Sequence, residues 1–350
     1  MASGASITAD SVTALIVTYG SRAHLTSAVI RRLNEIGVAQ IILVDNGSEP
    51  AARDKYQTLS TVLPQLKVLS LLKNFGSAEG FLAGIKDFMV NGITRYLWVL
   101  DDDNSPDINA LQALSSAAND LQEVEKCEDP VLHCSRADVR EADAVALASG
   151  EPKTLHVNRF MGFSLKGWFS AKLGRFRTQS CENPRGYVEI HCGSYGGLFV
   201  SRSNISTIGL PHAYFVLYSD DTEYTYRFFK RGIRQFLIAD AQVRDLEPTF
   251  TAGADYFDVA MSDVKVYFSI RNHVSLSHGL RQSKVIYEIN KQWLLFLLAI
   301  RAVRRLLHAP SFTVRRCSLI LRAIQHGESD NFDLASITQF DDWNAGRGLV

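Results

Sequence analysis

The chain has 350 residues, 46% of them hydrophobic and 21% charged, with 37 Lys and Arg against 37 Asp and Glu. This is the composition of a folded protein with one large core or two smaller ones, and it excludes a disordered chain, a collagen and a small disulfide scaffold. The balanced charge points to no nucleic-acid partner, and five cysteines without a C-x-x-C pair make neither a disulfide framework nor a four-ligand zinc site.

The opening residues, MASGASITADSV, lack the basic start and apolar run of a secretory signal. The longest uninterrupted apolar run, Trp293 to Ile300, is too short to span a bilayer. A cytoplasmic protein in a reducing compartment is expected.

Val12 to Thr18 is a β-branched apolar run, Leu25 to Ile36 reads as a helix stopped by Gly37, and Gln40 to Val44 reads as a second strand. A β-α-β unit of nearly continuous hydrophobic strands implies a parallel sheet covered on both faces. The pattern continues with a strand at Lys67 to Leu71, a helix at Ser77 to Val90 and a strand at Tyr96 to Leu100. Each strand ends in polar residues: Thr18-Tyr19-Gly20, Asp45-Asn46-Gly47-Ser48, Asn74-Phe75-Gly76 and Asp101-Asp102-Asp103. In an open α/β sheet these ends converge on one crevice.

An acid-rich stretch follows from Asp120 to Asp143, and then irregular aromatic sequence from Arg159 to Gly197, where β-structure and loops are expected. Gly197 to Val200 reads as a strand, Asp220-Asp221-Thr222-Glu223 opens a helix to Arg231, and Gln235 to Ile238 reads as a further strand. From Arg281 to His326 nine Lys or Arg face one acid, Glu288, in a helical, Leu-rich pattern. Basic amphipathic helices of this kind lie on anionic membranes, although two ordinary helices with basic outer faces would look the same.

Three adjacent carboxylates repel one another unless a cation or donors compensate, and an all-oxygen ligand set suits Mg²⁺ or Mn²⁺. Along an extended strand end Asp101 and Asp103 point one way and Asp102 the other; a solvated loop capping the next helix is the alternative. Asp220, Asp221 and Glu223 follow an apolar run whose burial would raise a carboxylate towards the range of a useful base. Glu223 and Arg227 could equally be an i, i+4 ion pair. The glycines near Asn74 match neither G-x-G-x-x-G nor a P-loop, and neither H-E-x-x-H nor G-x-S-x-G occurs. His191, Cys192 and Cys181 have no spacing that supports a nucleophile, so the thiols read as structural.

Five stretches in this order, ALIVTYGSRAHL, IILVDNGS, KNFGSAEGFLAGI, YLWVLDDDNSPD and GGLFVSRSNISTIGLPHAYFVLYSDDTEYTYRFFKRG, resemble the family-2 glycosyltransferases with the GT-A fold. The branch they are most similar to contains bacterial rhamnosyltransferases and galactofuranosyltransferases. The resemblance implies an α/β fold with a mostly parallel central sheet flanked by helices, plus a C-terminal helical segment. It implies a catalytic domain over residues 1–275, with the nucleotide-sugar part at about 10–105 and the acceptor part at about 106–275, and basic helices over 276–350.

By this resemblance Thr18, Tyr19, Asp45, Asn74, Gly76, Asp101 and Asp102 would bind the nucleotide-sugar, and Arg271 would meet its phosphates. Asp101 and Asp103 match the D-x-D metal motif, and Asp245 stands where the branch often has a metal-binding His. Asp221 matches the general base, with Asp220 and Glu223 positioning the acceptor. Transfer is expected to be inverting, to use Mn²⁺ or Mg²⁺ and a UDP- or dTDP-sugar, with galactofuranose favoured and rhamnose next. It would extend a bacterial surface polysaccharide on a glycan or lipid-linked acceptor, at the inner face of the membrane. A nucleotidyltransferase acting on a sugar phosphate would carry a Gly-rich basic loop after the first strand, and none is present there. A non-catalytic glycan-binding module would have no need of Asp101, Asp103 and Asp221 together.

Overall fold

The computed structural model describes residues 7–136, 141–172, 183, 185–247 and 255–333. In chain order its first elements are β1 (Val12–Gly20), α1 (Ala23–Ile36), β2 (Gln40–Ser48), α2 (Pro50–Val62), β3 (Leu66–Leu71), α3 (Ser77–Asn91), β4 (Tyr96–Asp101) and β5 (Asn104–Pro106). There follow α4 (Ala110–Val124), β6 (Val131–Ser135), α5 (Glu141–Ser149), α6 (Leu165–Lys172), β7 (Tyr187–Ile190), β8 (Leu198–Ser201) and α7 (Arg202–Ile208). The last are α8 (Asp220–Lys230), β9 (Gln235–Asp245), α9 (Asp263–Gly279), α10 (Lys284–Leu306) and α11 (Pro310–Glu328).

The chain divides into two units. The first is Met1–Thr154, Gln179–Ala213 and Asp221–Thr249, and it holds a 9-stranded sheet in the order β3-β2-β1-β4-β8-β6-β9-β5, with β7 on β9. The strands from β3 to β4 are parallel, as the β-α-β pattern requires; beyond β4 the sheet is mixed, with β8 antiparallel to β4 and β6 parallel to β9. Side chains along β1 alternate between two cores. Val12, Ala14 and Ile16 pack with Val29, Leu33 and Leu114, while Leu15 packs with Phe81, Ile85 and Phe88 on the other face. Both faces are therefore dry, which is why the strands read as unbroken hydrophobic runs.

The second unit is Leu155–Thr178, Tyr214–Asp220 and Phe250–Val350. The expected boundary after residue 275 falls inside α9, which shares a core with α11: Ile270 and Val274 pack with Leu319, Ile320 and Ala323. A Cβ on Gly327 would stand 2.4 Å from the Arg271 carbonyl oxygen, so the two helices touch backbone to backbone. α9 thus belongs with the C-terminal helices. In the stretch from Arg159 to Gly197, expected as β-structure and loops, Leu165–Lys172 is helical and Tyr187–Ile190 is a strand.

Candidate active site

Parallel register places Thr18 beside Asp45 and Val17 beside Asp101, so the ends of β2, β1 and β4 form one edge. Asn46 ties the segment after β3 to that edge. Its Oδ1 accepts from the Phe75 amide at 3.0 Å, and its Nδ2 donates to the Gly76 carbonyl at 2.9 Å and to Asn74 Oδ1 at 3.2 Å. Gly47 lies under this loop with φ of +79°, and a Cβ there would sit 2.3 Å from the Asn74 nitrogen; only glycine fits. Asp45 is fully buried and accepts from the Ser48 amide at 2.7 Å and from Arg53 Nε at 3.0 Å. The ends of β1, β2 and β4 and the segment after β3 thus lie together, with Asn46 as the brace between β2 and that segment.

Arg22, one turn beyond Tyr19, organises the acidic run. Its Nε donates to Asp102 at 2.9 Å, one terminal nitrogen to Asp103 at 2.9 Å and the other to Glu247 at 2.7 Å. Thr18 donates a further hydrogen bond to Asp102 Oδ2 at 2.8 Å. Asp102 is buried and its partners are protein groups; it shares the Arg22 guanidinium with Asp103, so these two converge on one partner where opposite directions were expected, and Asp101 lies apart beside Arg136. Burial pushes its carboxyl up to about 6 against the pull of Arg22 and Thr18. Tyr19 lies under the Arg22 guanidinium at 5.5 Å.

Asp101 has a weaker partner. Its Oδ2 lies 3.8 Å from Arg136 Nη1, and 40% of its side-chain surface is open. Its carboxyl is nevertheless set among enough protein atoms for desolvation to push it up to about 7, with Asp103, Asp102 and Asp221 adding repulsion and Arg136 opposing. The other Arg136 nitrogen binds Asp245 Oδ2 at 2.5 Å, and Asn104 Nδ2 bridges Asp245 Oδ1 at 3.0 Å and Asp103 Oδ1 at 2.9 Å. The β5–β9 register sets Asn104 opposite Asp245 and so explains the bridge. Asp245 thus engages both oxygens with protein at 1% side-chain exposure. It is the counter-charge of Arg136, a different place from the open metal ligand expected of it.

Asn104 Oδ1 is buried and has no hydrogen-bond partner among the described residues. It converges with Arg136 and Asp101 on Gly196: a Cβ there would lie 2.1 Å from Asn104 Oδ1, 2.7 Å from Arg136 Nη1 and 2.8 Å from Asp101 Oδ2. Five acids, Asp101, Asp102, Asp103, Asp245 and Glu247, are gathered about two guanidiniums, Arg22 and Arg136. Surplus negative charge, an orphaned amide oxygen and oxygen-only donors fit a hard divalent cation beside Asp101, while Asp103, whose Oδ2 accepts from Arg22 and Oδ1 from Asn104, would have to exchange one of those partners to join it. Among the described residues no three His, Cys, Asp or Glu are placed to hold a metal, so water and diphosphate oxygens would complete its shell.

Asp221 reaches the same region from α8. Thr225, one turn on, donates to the Asp221 carbonyl at 2.8 Å and to the Gly193 carbonyl at 2.9 Å, and it accepts from the Gly193 amide at 3.0 Å. The Gly193–Gly197 segment then runs past Tyr195, packed on Phe81, to Gly196 beside Asp101. Asp221 Oδ1 accepts from the Thr222 amide at 2.6 Å. Its charge contributes to raising the partly buried Cys192 thiol, pushed up to about 12 chiefly by desolvation; Cys181 lies outside the described residues.

Two expected ligand contacts take other forms. Glu223 is bound by Arg227 through Nε and one terminal nitrogen, the i, i+4 pair, and the other terminal nitrogen of Arg227 donates to the Leu210 carbonyl. Arg271 is wholly buried in the second unit, where it donates to the Tyr214 and Phe215 carbonyls. A guanidinium spent on backbone carbonyls with no exposed surface does not meet a phosphate. Arg22, Asn46, Asn104, Arg136, Gly196 and Thr225 are the site residues that sequence reasoning passed over.

Residues 13–124 match the model of the family described as Glycosyl transferase family 2. This stretch is a glycosyltransferase domain. It covers β1 to α4 and so includes Thr18, Asp45, Asn74 and the three aspartates after β4. No curated protein matches the chain in sequence. Among solved structures, a mannosyltransferase from Pyrobaculum calidifontis in complex with GDP-Man and Mn²⁺ superposes with a TM-score of 0.52 at 12% identity, over 92% of this chain and 88% of its own. S. aureus TarS 1–349 in complex with UDP-GlcNAc gives 0.47 at 11% identity over 96% and 90%. GalNAc-T7 with UDP, GalNAc and Mn²⁺ gives 0.48 at 12% identity over 80% and 54%. The first likeness shows the fold of this glycosyltransferase, the GT-A arrangement with its mixed sheet flanked by helices.

Proposed function

We propose that the protein transfers a sugar from a nucleotide-sugar to a glycan hydroxyl, with inversion and with a divalent cation. The observation that carries this reading is the approach of Asp221 to Asp101, close enough for the charge of one to raise the pKa of the other. Sugar transfer needs relief of the charge that develops on a leaving diphosphate and a base for the incoming hydroxyl. A cation at Asp101 and Asp103 would supply the first when bound; the fold neighbour crystallised with Mn²⁺ agrees with that choice. Asp221 accepts the acceptor proton as the hydroxyl oxygen bonds to the anomeric carbon, and the bond to the diphosphate oxygen breaks with its electron pair. Thr18, Tyr19, Asp45, Asn74 and Gly76 form the nucleotide side. Asp45 and Asn74 act there by shaping the backbone through Ser48, Arg53 and Gly76. Asp220 and the surface near Asp221 face the acceptor. The D-D-D and S-D-D-T-E patterns favour UDP-galactofuranose as donor, with dTDP-rhamnose next.

The second unit offers the membrane face. Val285, Ile289, Phe296, Ile300 and Val303 follow helical spacing along α10 and are exposed, Phe296 at 55% and Val303 at 62%. Lys284, Arg301 and Arg304 are exposed on the same helix. Lys291, Arg305 and Arg316 instead serve packing, through Glu328, the Phe257 carbonyl and Asp263. Among the described residues no helix is long and apolar enough to cross a membrane, so contact would be at the surface of an anionic bilayer.

A thermal-shift panel of UDP-, dTDP- and GDP-sugars with Mn²⁺ or EDTA tests the reading, because a ligand that binds only the native state raises its melting point. A metal-dependent rise with one nucleotide class and an inverted anomeric product by NMR are expected. No shift with any donor, or full turnover in EDTA, would overturn it.

A further inference from the structure

Within the second unit, α6 and the first turns of α10 border an open groove of about 570 Å³. Its apolar walls are Val157, Leu165 and Phe169 from the α6 side and Ile286 and Ile289 from α10. Four of these are open to solvent: Val157 at 42%, Phe169 at 46%, Ile286 at 50% and Ile289 at 49%. The walls are tied together. Asn158 Oδ1 accepts from the Gln282 and Ser283 amides at 2.8 and 2.6 Å. The buried Asn290 donates to the Asn158 carbonyl at 2.8 Å and accepts from the Leu165 amide at 2.8 Å. The groove is therefore preformed, and its size suits a small ligand or part of a larger one.

Cations line the same groove. Arg159 and Lys166 belong to it, and residues 155–172 contain no acid. Arg159 is partly buried, makes one long bond of 3.4 Å to the Gly162 carbonyl and forms no ion pair among the described residues. Burial lowers its pKa with no carboxylate opposing. A guanidinium drawn out of water without a counter-charge favours an anion beside it.

Phe169 also joins the groove to the exposed stripe of α10. Its ring meets Trp293 at 6.2 Å, Trp293 meets Phe296 at 5.8 Å, and the Lys172 ammonium lies 4.2 Å over Trp168 in the same cluster. Tryptophan and lysine at the border of an apolar stripe are the composition of a membrane interface.

We infer that this groove holds one anionic phospholipid of the bilayer, with its phosphate on Arg159 and Lys166 and the start of an acyl chain along Phe169, Ile286 and Ile289. The site rests on reading α10 as the membrane face, and it adds a grip on a single headgroup to general attraction by charge. An acidic peptide or free phosphate would meet the cations and leave the apolar walls wet.

Calorimetry of the full chain with dihexanoyl phosphatidic acid, kept below its micelle concentration, reads the groove without a bilayer. Saturable binding at one site is expected. Dihexanoyl phosphatidylcholine, inorganic phosphate and a short polyglutamate should each bind more weakly by about tenfold or more, the worth of one hydrogen bond to a charged group. Arg159→Gln and Lys166→Gln should each weaken phosphatidic acid by about tenfold on the same grounds, and Ile289→Asp should abolish its binding. Phe296→Asp with Ile300→Asp should cost the protein its co-sedimentation with phosphatidylcholine vesicles containing phosphatidic acid, yet leave the short-chain lipid bound. No binding of that lipid, equal binding of phosphate or the peptide, or unchanged affinity in both Arg159→Gln and Lys166→Gln overturns the site; wild-type sedimentation with the vesicles would then leave the membrane face standing without it. Short-chain binding without sedimentation removes the membrane face and keeps the groove. If Arg159→Gln does not fold, the exposed Lys166 decides through Lys166→Gln by the same titration.

Discussion

Asp221 and Asp101 repel each other. Burial is the main force holding the Asp101 carboxyl up at about 7, and Asp221 adds its charge from the first turn of α8. Nothing in the β-α-β pattern brings α8 to the end of β4; the link is Thr225, bonded to the Gly193 backbone, and the short run from Gly193 to Gly196.

Asp221→Asn removes the proposed base and keeps its shape. Turnover should fall by about 10²- to 10⁴-fold, while the nucleotide-sugar affinity, measured by calorimetry with Mn²⁺, stays within about twofold of wild type because the base takes no part in donor binding. A variant that transfers at the normal rate removes Asp221 from the mechanism.

Arg22→Met strips Asp102 and Asp103 of their cation. Leaving a buried carboxylate unpaired should cost about 3 kcal/mol at pH 8, read from urea denaturation. The loss should shrink at pH 5.5, where Asp102, already raised to about 6 by burial with Arg22 present, is protonated more readily without Arg22. An equal loss at both values would mean that Arg22 acts by packing alone.

Gly196→Ala drives a methyl into Asn104, Arg136 and Asp101. Overpacking of this kind costs about 1–3 kcal/mol, and turnover should fall further than the stability loss explains because the Asp101 carboxylate is displaced. Unaltered kcat with normal Mn²⁺ dependence would show that the crevice floor can give way.

In the metal-free protein Asp101 keeps its proton to about pH 7, whereas an unfolded chain gives it up in the ordinary carboxylate range. The native state therefore binds more protons in that window, and this group's contribution to stability falls as pH rises through it. Asp101→Asn cannot ionise, so in EDTA its melting temperature should climb relative to wild type from pH 5 to pH 8. A constant difference would mean that the Asp101 pKa is not raised.

Phe296→Asp with Ile300→Asp places two charges on the exposed stripe of α10. Co-sedimentation with vesicles containing anionic lipid should drop to the level of neutral vesicles, with solution transfer to a soluble acceptor intact. Binding that survives both changes would exclude this face.

The N-terminal half of the fold was legible where strands are buried on both sides, as β1, β2 and β4 are, and where a helix stops at a glycine, as α1 does at Gly37; α2, which ends at Val62 and Leu63 without such punctuation, was not anticipated, and in β3 only Leu66 is buried. The strand ends followed from the same logic. The partners of the charged residues were not legible. Arg22, Arg136 and Asn104 act through pairings far apart in the chain, and nothing in local sequence distinguishes Arg22, which gathers three acids, from a solvated arginine. Glu223 was legible only as two alternatives, and the structure has Arg227 engaging it. Arg271 was placed at the phosphates by the resemblance alone, and its burial against the Tyr214 and Phe215 carbonyls depends on residues more than fifty positions away that local sequence does not reveal.

Asn46 fastens the loop after β3 by three hydrogen bonds before any ligand arrives. That half of the crevice is preorganised, so a donor docking there forfeits little chain entropy and selects among nucleobases by rigid shape. Swapping donor preference by exchanging the loop alone should fail unless its fastening asparagine travels with it.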